Sequence, residues 1–234
     1  MPHEIATRRV LYEIPGMNAI EPREFEFPGS DGQPLAGRIY LPPSSLSADS
    51  LAAVVVIVEG YPDPGFVKHV GCRFMDMQWS ISMAQLIAAS GMAAITYANR
   101  QPAADANAVI DHVTAKLGSR IALWATSGHG PVAISVLDRV SCGVLSNPIT
   151  DGVTALPAGV PMFVIRSGKD ETPGLNTALD RFIALAMSQN QPMTLVNHAD
   201  APHSFELYDD GPAARFILRQ ALEFLQSQLR TTVG

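Results

Sequence analysis

The chain alternates between two apolar patterns. The run Leu51-Ala52-Ala53-Val54-Val55-Val56-Ile57-Val58 is apolar at every position, as in a strand of a parallel sheet covered on both faces. A helical pattern follows from about Asp76 to Ala89, ended by Gly91, and Met92 to Tyr97 reads as the next strand. Pro102 opens a helix to Lys116, Gly118 closes it, and Arg120 to Ala125 is again strand-like. After a helix reaching about Leu137 come strands at Cys142 to Ser146 and Pro161 to Ile165, then a helix from about Leu175 to Gln189. The strand Met193 to Asn197 and the helix Ala213 to Leu229 complete the series. Ahead of it, Arg23 to Phe27 alternates as a half-buried strand and Gly29-Ser30-Asp31-Gly32 turns it. Leu35 to Leu41 returns, so the pair predicts an antiparallel hairpin at a sheet edge.

Strand and helix in alternation predict a doubly wound, mostly parallel α/β sheet of about eight strands. Between Cys142 and Pro161 the chain is too short for an inserted helical cap. No internal repeat or linker divides residues 21–234, which read as one domain containing a Ser-rich loop at Ser44 to Ser50 ahead of the Leu51 strand. Residues 1–20 show little beyond Val10-Leu11-Tyr12 and a Pro15-Gly16 turn. They read as an arm packed either on the body or on another subunit, and the chain as a monomer or homodimer.

Composition narrows the partners. With 47% hydrophobic and 16% charged positions, the 234 residues describe an ordinary well-cored globule. A net charge of −6 and the lack of a basic run argue against a nucleic-acid surface. Arg8-Arg9 is followed by no apolar stretch of the kind a secretory signal needs, and no run spans a bilayer, so a cytoplasmic protein is expected. Cys72 and Cys142 are far apart and outside any CxxC pattern, which predicts two buried, reduced thiols. His69 and His112 lack ligand-like spacing with Cys, Asp or Glu; neither a metal nor a cofactor is expected.

The chemistry is concentrated at Trp124-Ala125-Thr126-Ser127-Gly128-His129-Gly130. A strand, a tight turn with a serine at its tip and an immediate helix make a nucleophile elbow, which holds a hydroxyl clear of the backbone. A serine in this place also suits a helix N-cap. Small Ala125 and Gly128 fit the crowding of an elbow; His129 departs from the G-x-S-x-G pattern, and Gly130 restores close helix packing one position later.

Ligands of open α/β sheets bind outside the carboxyl ends of the strands. Past the strand ending at Ile165 stand Gly168-Lys169-Asp170-Glu171, and past the last strand His198 and Pro202-His203-Ser204-Phe205. Asp170 and His203 are the preferred acid and base; Glu171 and His198 are their rivals. His203 is preferred because it lies further along its loop and reaches over the sheet edge. In these roles His203 takes the Ser127 proton and Asp170 orients the imidazole. The backbone N–H groups of Gly128 and, in the loop Glu59-Gly60-Tyr61, of Tyr61 are the candidate oxyanion donors. The stretch Pro62 to Trp79, with Phe66, Phe74, Met75, Met77 and Trp79, either roofs an acyl pocket or packs as core beneath its own loop.

Over about Pro22 to Leu229 the chain resembles an α/β-hydrolase of the dienelactone-hydrolase-like group. The resemblance is carried by Val56 to Tyr61, the elbow at Ser127, Gly168 to Glu171, and Pro202 to Phe205. It implies Ser127, Asp170 and His203 as a triad. Dienelactone hydrolases proper use a Cys nucleophile engaged by a Glu of the oxyanion loop; here Ser127 departs from that. Glu59 stands near the matching place, either facing the site or as an exposed loop carboxylate. The expected activity is hydrolysis of a small carboxylic ester, lactone or thioester through an acyl-enzyme, in a pocket that includes Glu59, His129, Phe66 and Trp79. Acyl transfer or peptidase-like cleavage uses the same residues. A non-catalytic binding protein of this fold would be marked by a missing triad member, and none is missing.

Overall fold

The computed structural model describes residues 3–43, 53–117 and 120–230. Met1 and Pro2 of the expected arm, the Ser-rich loop Ser44 to Ser50, the strand start at Leu51-Ala52, and Gly118 lie outside the described residues. One eight-stranded sheet organises the chain, in the order β1-β2-β4-β3-β5-β6-β7-β8. Its strands are β1 (Arg23–Pro28), β2 (Pro34–Tyr40), β3 (Ala53–Ile57), β4 (Ala93–Tyr97), β5 (Arg120–Thr126), β6 (Cys142–Ser146), β7 (Met162–Ser167) and β8 (Met193–His198). β1 and β2 pair antiparallel in register Phe25↔Gly37, and β2 pairs antiparallel with β4. From β4 to β8 every pairing is parallel. The expected edge hairpin and alternation are both present.

Period-two alternation in the buried strands sends side chains to two separate cores. Val55 and Ile57 of β3 and Trp124 of β5 join helices α2 (Gln78–Ala89) and α6 (Pro212–Leu229) on one face. Val54, Val56 and Leu123 join α3 (Pro102–Leu117) and α5 (Leu175–Ser188) on the other. α4 (Gly130–Ser135) follows the elbow on that second side, contributing Ala133 and Ile134. Among the described residues no helix is long and apolar enough to cross a membrane.

Three expectations are refined. The stretch after Pro62 is not an irregular loop. Asp63–Val70 is helix α1, with proline at its first turn and a left-handed Gly71 (φ 92°) at its end. The pairing of Pro at a helix start with Gly just past its end is the signal that identifies it. The arm packs on the body: Val10 and Met17 are buried, Val10 N–H donates to Ser82 Oγ at 2.9 Å, and Leu11 N–H to the Glu206 carbonyl at 2.9 Å. Of the two free thiols, Cys142 is buried, and burial pushes it up to about 12, whereas Cys72 is only half-buried.

Besides the β2–β4 pairing, the hairpin turn is tied to α3 through the carboxyl group of Asp105. Asp105, in the first turn of α3, accepts from Ser30 N–H (2.8 Å), Ser30 Oγ (2.7 Å), Arg100 N–H (2.8 Å) and Gln101 N–H (2.7 Å). Burial acts to raise its pKa, but these donors outweigh it and hold the carboxyl below its ordinary value. Its stabilising effect is therefore present above the usual aspartate range and is lost as pH falls through the lowered folded value. Asp105→Ala leaves four donors unpaired and is expected to cost about 3 kcal/mol at neutral pH. In denaturant titrations this deficit should shrink on acidification.

Candidate active site

The sheet delivers Ser127, Asp170 and His203 to one edge, past the ends of β5, β7 and β8. Thr126 is still extended (φ −130°, ψ 150°), but Ser127 has φ 49°, in the left-handed region that L-residues avoid. Such strain persists where the surroundings over-determine it, and here it lifts the hydroxyl off the strand end. Crowding enforces the turn. A Cβ on Gly130 would stand 2.7 Å from Pro148 Cβ and 3.0 Å from the Ile149 carbonyl oxygen, so the close packing falls at Gly130.

His203 links the other two side chains. Its Nε2 lies 2.9 Å from Ser127 Oγ and its Nδ1 lies 2.5 Å from Asp170 Oδ2. A carboxylate only accepts, so in the neutral ring Nδ1–H donates to Asp170 and Nε2 accepts the Ser127 hydroxyl. The Asp170 side chain is fully shielded from solvent, while that of His203 is 29% exposed. The loops carrying Asp170 and His203 are stitched together: Gly168 N–H donates to the His198 carbonyl at 2.8 Å and Lys169 N–H to that of Ala201 at 2.9 Å. Gly168 permits this approach, since a Cβ there would sit 2.2 Å from the Ala199 carbonyl oxygen. The rivals stand elsewhere. His198 Nε2 is 3.2 Å from Asp209 Oδ2, and Glu171 is exposed.

A cavity of about 270 Å³ opens at Ser127 and His203, walled by Ile5, Tyr61, Phe66, Phe74, Trp79 and His129 among others. Phe66, Phe74, Met77 and Trp79 thus line it, while Met75 is buried in the core on the opposite face of the sheet. The Trp79 indole N–H donates to Glu206 Oε1 at 2.9 Å, and burial raises the Glu206 carboxyl pKa. Glu206 and Ile5 were not marked by the sequence pattern. The apolar Phe205 and Leu207 around Glu206 were the available sign of a carboxyl drawn inside.

Glu59 is neither on the cavity wall nor exposed. It is fully buried, with its N–H donating to Tyr97 Oη at 3.3 Å. Burial, then the nearby Asp63 carboxyl, push its pKa up to about 9. The next N–H, of Gly60, donates to His129 Nδ1 at 2.7 Å. The loop's candidate oxyanion donor is therefore the following N–H, of Tyr61. Its ring lies against Gly128, where a Cβ would strike the Tyr61 hydroxyl. His129 is buried, stacks on Phe74 with ring centres 4.0 Å apart, and is pushed down to about 3 by burial. His112 stacks on Phe25 at the hairpin, and His69 lies on exposed α1; no cluster of three or more His, Cys, Asp or Glu suited to a metal occurs among the described residues.

No protein-family model matches the chain, and no curated protein does. Solved structures do. A thermophilic esterase from the planctomycete Thermogutta terrifontis superposes with a TM-score of 0.68 at 19% identity, over 99% of this chain and 100% of that one. The chain has the α/β-hydrolase fold. The same Thermogutta esterase is also solved with propionate bound and phosphorylated by paraoxon. A bacterial heroin esterase matches at 0.68 and 15% identity over 92% of this chain and 86% of that one. Porphyromonas gingivalis dipeptidyl peptidase 4 matches at 0.71 and 12% over 89% of this chain, which spans 35% of that protein.

The two shifted groups beside the site give stability opposite slopes with pH. The unfolded Glu59 carboxyl titrates near 4.5 and the folded one at about 9, so stability is fully present below 4.5 and is lost as pH rises toward 9. For His129, lowered from 6.5 to about 3, stability is lost as pH falls from 6.5 toward 3. Glu59→Gln is expected to remove Glu59's share of the alkaline decline, a difference on the order of 3 kcal/mol at pH 7 as an upper bound. Unfolding free energies measured from pH 5 to 9 on both proteins check this.

Proposed function

We propose that the protein is a serine hydrolase that cleaves small carboxylic esters, lactones or thioesters through an acyl-enzyme. The observation that carries the reading is His203 standing between Ser127 Oγ at 2.9 Å and the shielded Asp170 carboxyl at 2.5 Å. Ser127 Oγ attacks the acyl carbon as its proton passes to His203 Nε2, and Asp170 stabilises the imidazolium through Nδ1–H. The oxyanion takes the N–H groups of Gly128 and Tyr61. The leaving alcohol or thiol receives the proton from His203, and water activated by the same imidazole releases the acid.

Cavity size supports a small acyl group. About 270 Å³ lies just below the range usual for sites that hold drug-sized ligands. The Thermogutta esterase is solved holding propionate, a three-carbon carboxylate. The narrower likeness to dienelactone hydrolases is part of this proposal only in a limited sense. Glu59 does not line the cavity, so its carboxyl is not placed to engage the nucleophile, and together with Ser127 this favours simple esters over dienelactones.

A fluorophosphonate probe should label Ser127 stoichiometrically and leave Ser127→Ala unlabelled, with ester turnover in the variant falling by at least about 10⁴-fold. Absence of label on folded wild type would refute the reading. The wall residue Ile5 should set acyl length. Ile5→Ala is expected to raise kcat/KM for a p-nitrophenyl hexanoate relative to the acetate by about 5- to 10-fold, measured in parallel assays.

A further inference from the structure

We propose that His129 is a positioning residue that holds the oxyanion loop against the nucleophile elbow. This rests on the assignment of Ser127 as the acyl acceptor. In an elbow the second residue after the nucleophile is ordinarily small because helix and strand crowd there. In this chain Gly130 takes up that crowding, and position 129 carries a ring that reaches across to the loop after β3.

The two segments are already in contact. A Cβ on Gly60 would stand 2.6 Å from the Gly128 carbonyl oxygen and 2.7 Å from His129 Cα. His129 Nδ1 then accepts the Gly60 N–H at 2.7 Å. The bond joins the residue just before Tyr61 to the residue just after Gly128, so it sets the spacing between the two candidate donors. The ring itself is held by stacking on Phe74 and by an edge contact with Tyr61 at 5.4 Å and 83°. Accepting an N–H requires an unprotonated Nδ1, and burial keeps the imidazole neutral far below neutral pH. Donors placed for the oxyanion act mainly in the transition state, so loosening them lowers kcat more than it raises KM.

The test compares His129→Phe, which keeps a ring for Phe74 but has no acceptor, with His129→Asn, whose Oδ1 can stand where Nδ1 stands. Turnover of p-nitrophenyl butyrate is expressed per serine titrated by fluorophosphonate, which removes any loss of folded protein from the comparison. The expectation is a fall in kcat of about 10- to 100-fold for His129→Phe with KM within about twofold, and recovery to within about fivefold for His129→Asn. The ¹⁵N resonance of His129 Nδ1 in the wild type should be that of an unprotonated acceptor from pH 5 to 8. A His129→Phe enzyme with wild-type kcat, or a protonated Nδ1 at neutral pH, overturns the clamp while leaving an active Ser127 in place. A wild type that neither turns over ester nor takes label overturns the serine assignment, and the clamp's role with it.

Discussion

A parallel sheet covered by helices on both faces leaves almost nowhere for polar chemistry except its ends. Val54, Val55 and Val56 of β3 and Ala122 and Leu123 of β5 are all inaccessible to solvent, each committed to one core or the other. Backbone groups within the strands are consumed by their neighbours. At the carboxyl ends the ladder stops, the chain must turn, and side chains meet water. Ser127, Asp170 and His203 come from three separate strand ends, and the parallel order of the sheet puts all three along one edge, β7 beside β8 and β5 on the far side of β6.

That edge is tightened by close backbone approaches where glycine is required. Gly60 touches the elbow, Gly130 touches Pro148, and Gly168 touches Ala199 on the His203 loop. Each contact joins two loops from different strands, so the loops behave as one piece although no single element carries the site. The left-handed Ser127 is held in that frame: its carbonyl accepts the Ile149 N–H at 2.9 Å, which pins the turn from the β6 side. Strain of a few kcal/mol at one residue is sustainable when it is surrounded by contacts of this kind.

Elements whose residues face a core were legible in the sequence. The strand Cys142 to Ser146 coincides with β6, because five small or apolar residues bounded by turn chemistry have few other uses. The spacing of Ser127, Asp170 and His203 was legible because the fold dictates which loops share an edge. Helix α1 was hidden: none of its residues is fully buried, only Phe66 and Val70 pack partly against the core, and its proline and glycine read as a loop. Ile5 was hidden for another reason. Its role depends on where the arm docks, through bonds such as His3 N–H to the Val70 carbonyl at 2.8 Å, and no local pattern encodes that. Glu59 was ambiguous because a charged residue at a strand end is ordinarily solvated, whereas here Tyr97, Asn99 and Asp63 enclose it.

Burial of ionisable groups around the edge has an electrostatic consequence. Burial shifts Glu59 and Glu206 upward and His129 downward, in each case toward the uncharged form. Both carboxyls are nearly or fully inaccessible. In the proposed mechanism, an ionised Glu59, one residue before Gly60-Tyr61, would oppose the negative charge that forms on the substrate oxygen. Keeping Glu59 protonated at neutral pH removes that opposition, and a neutral His129 can still accept the Gly60 N–H. In the proposed mechanism the field at the reacting carbon then comes from the His203–Asp170 pair and from fixed N–H dipoles, which need no reorganisation as charge develops. The same burial that closes the cores therefore conditions the chemistry at the one edge left open.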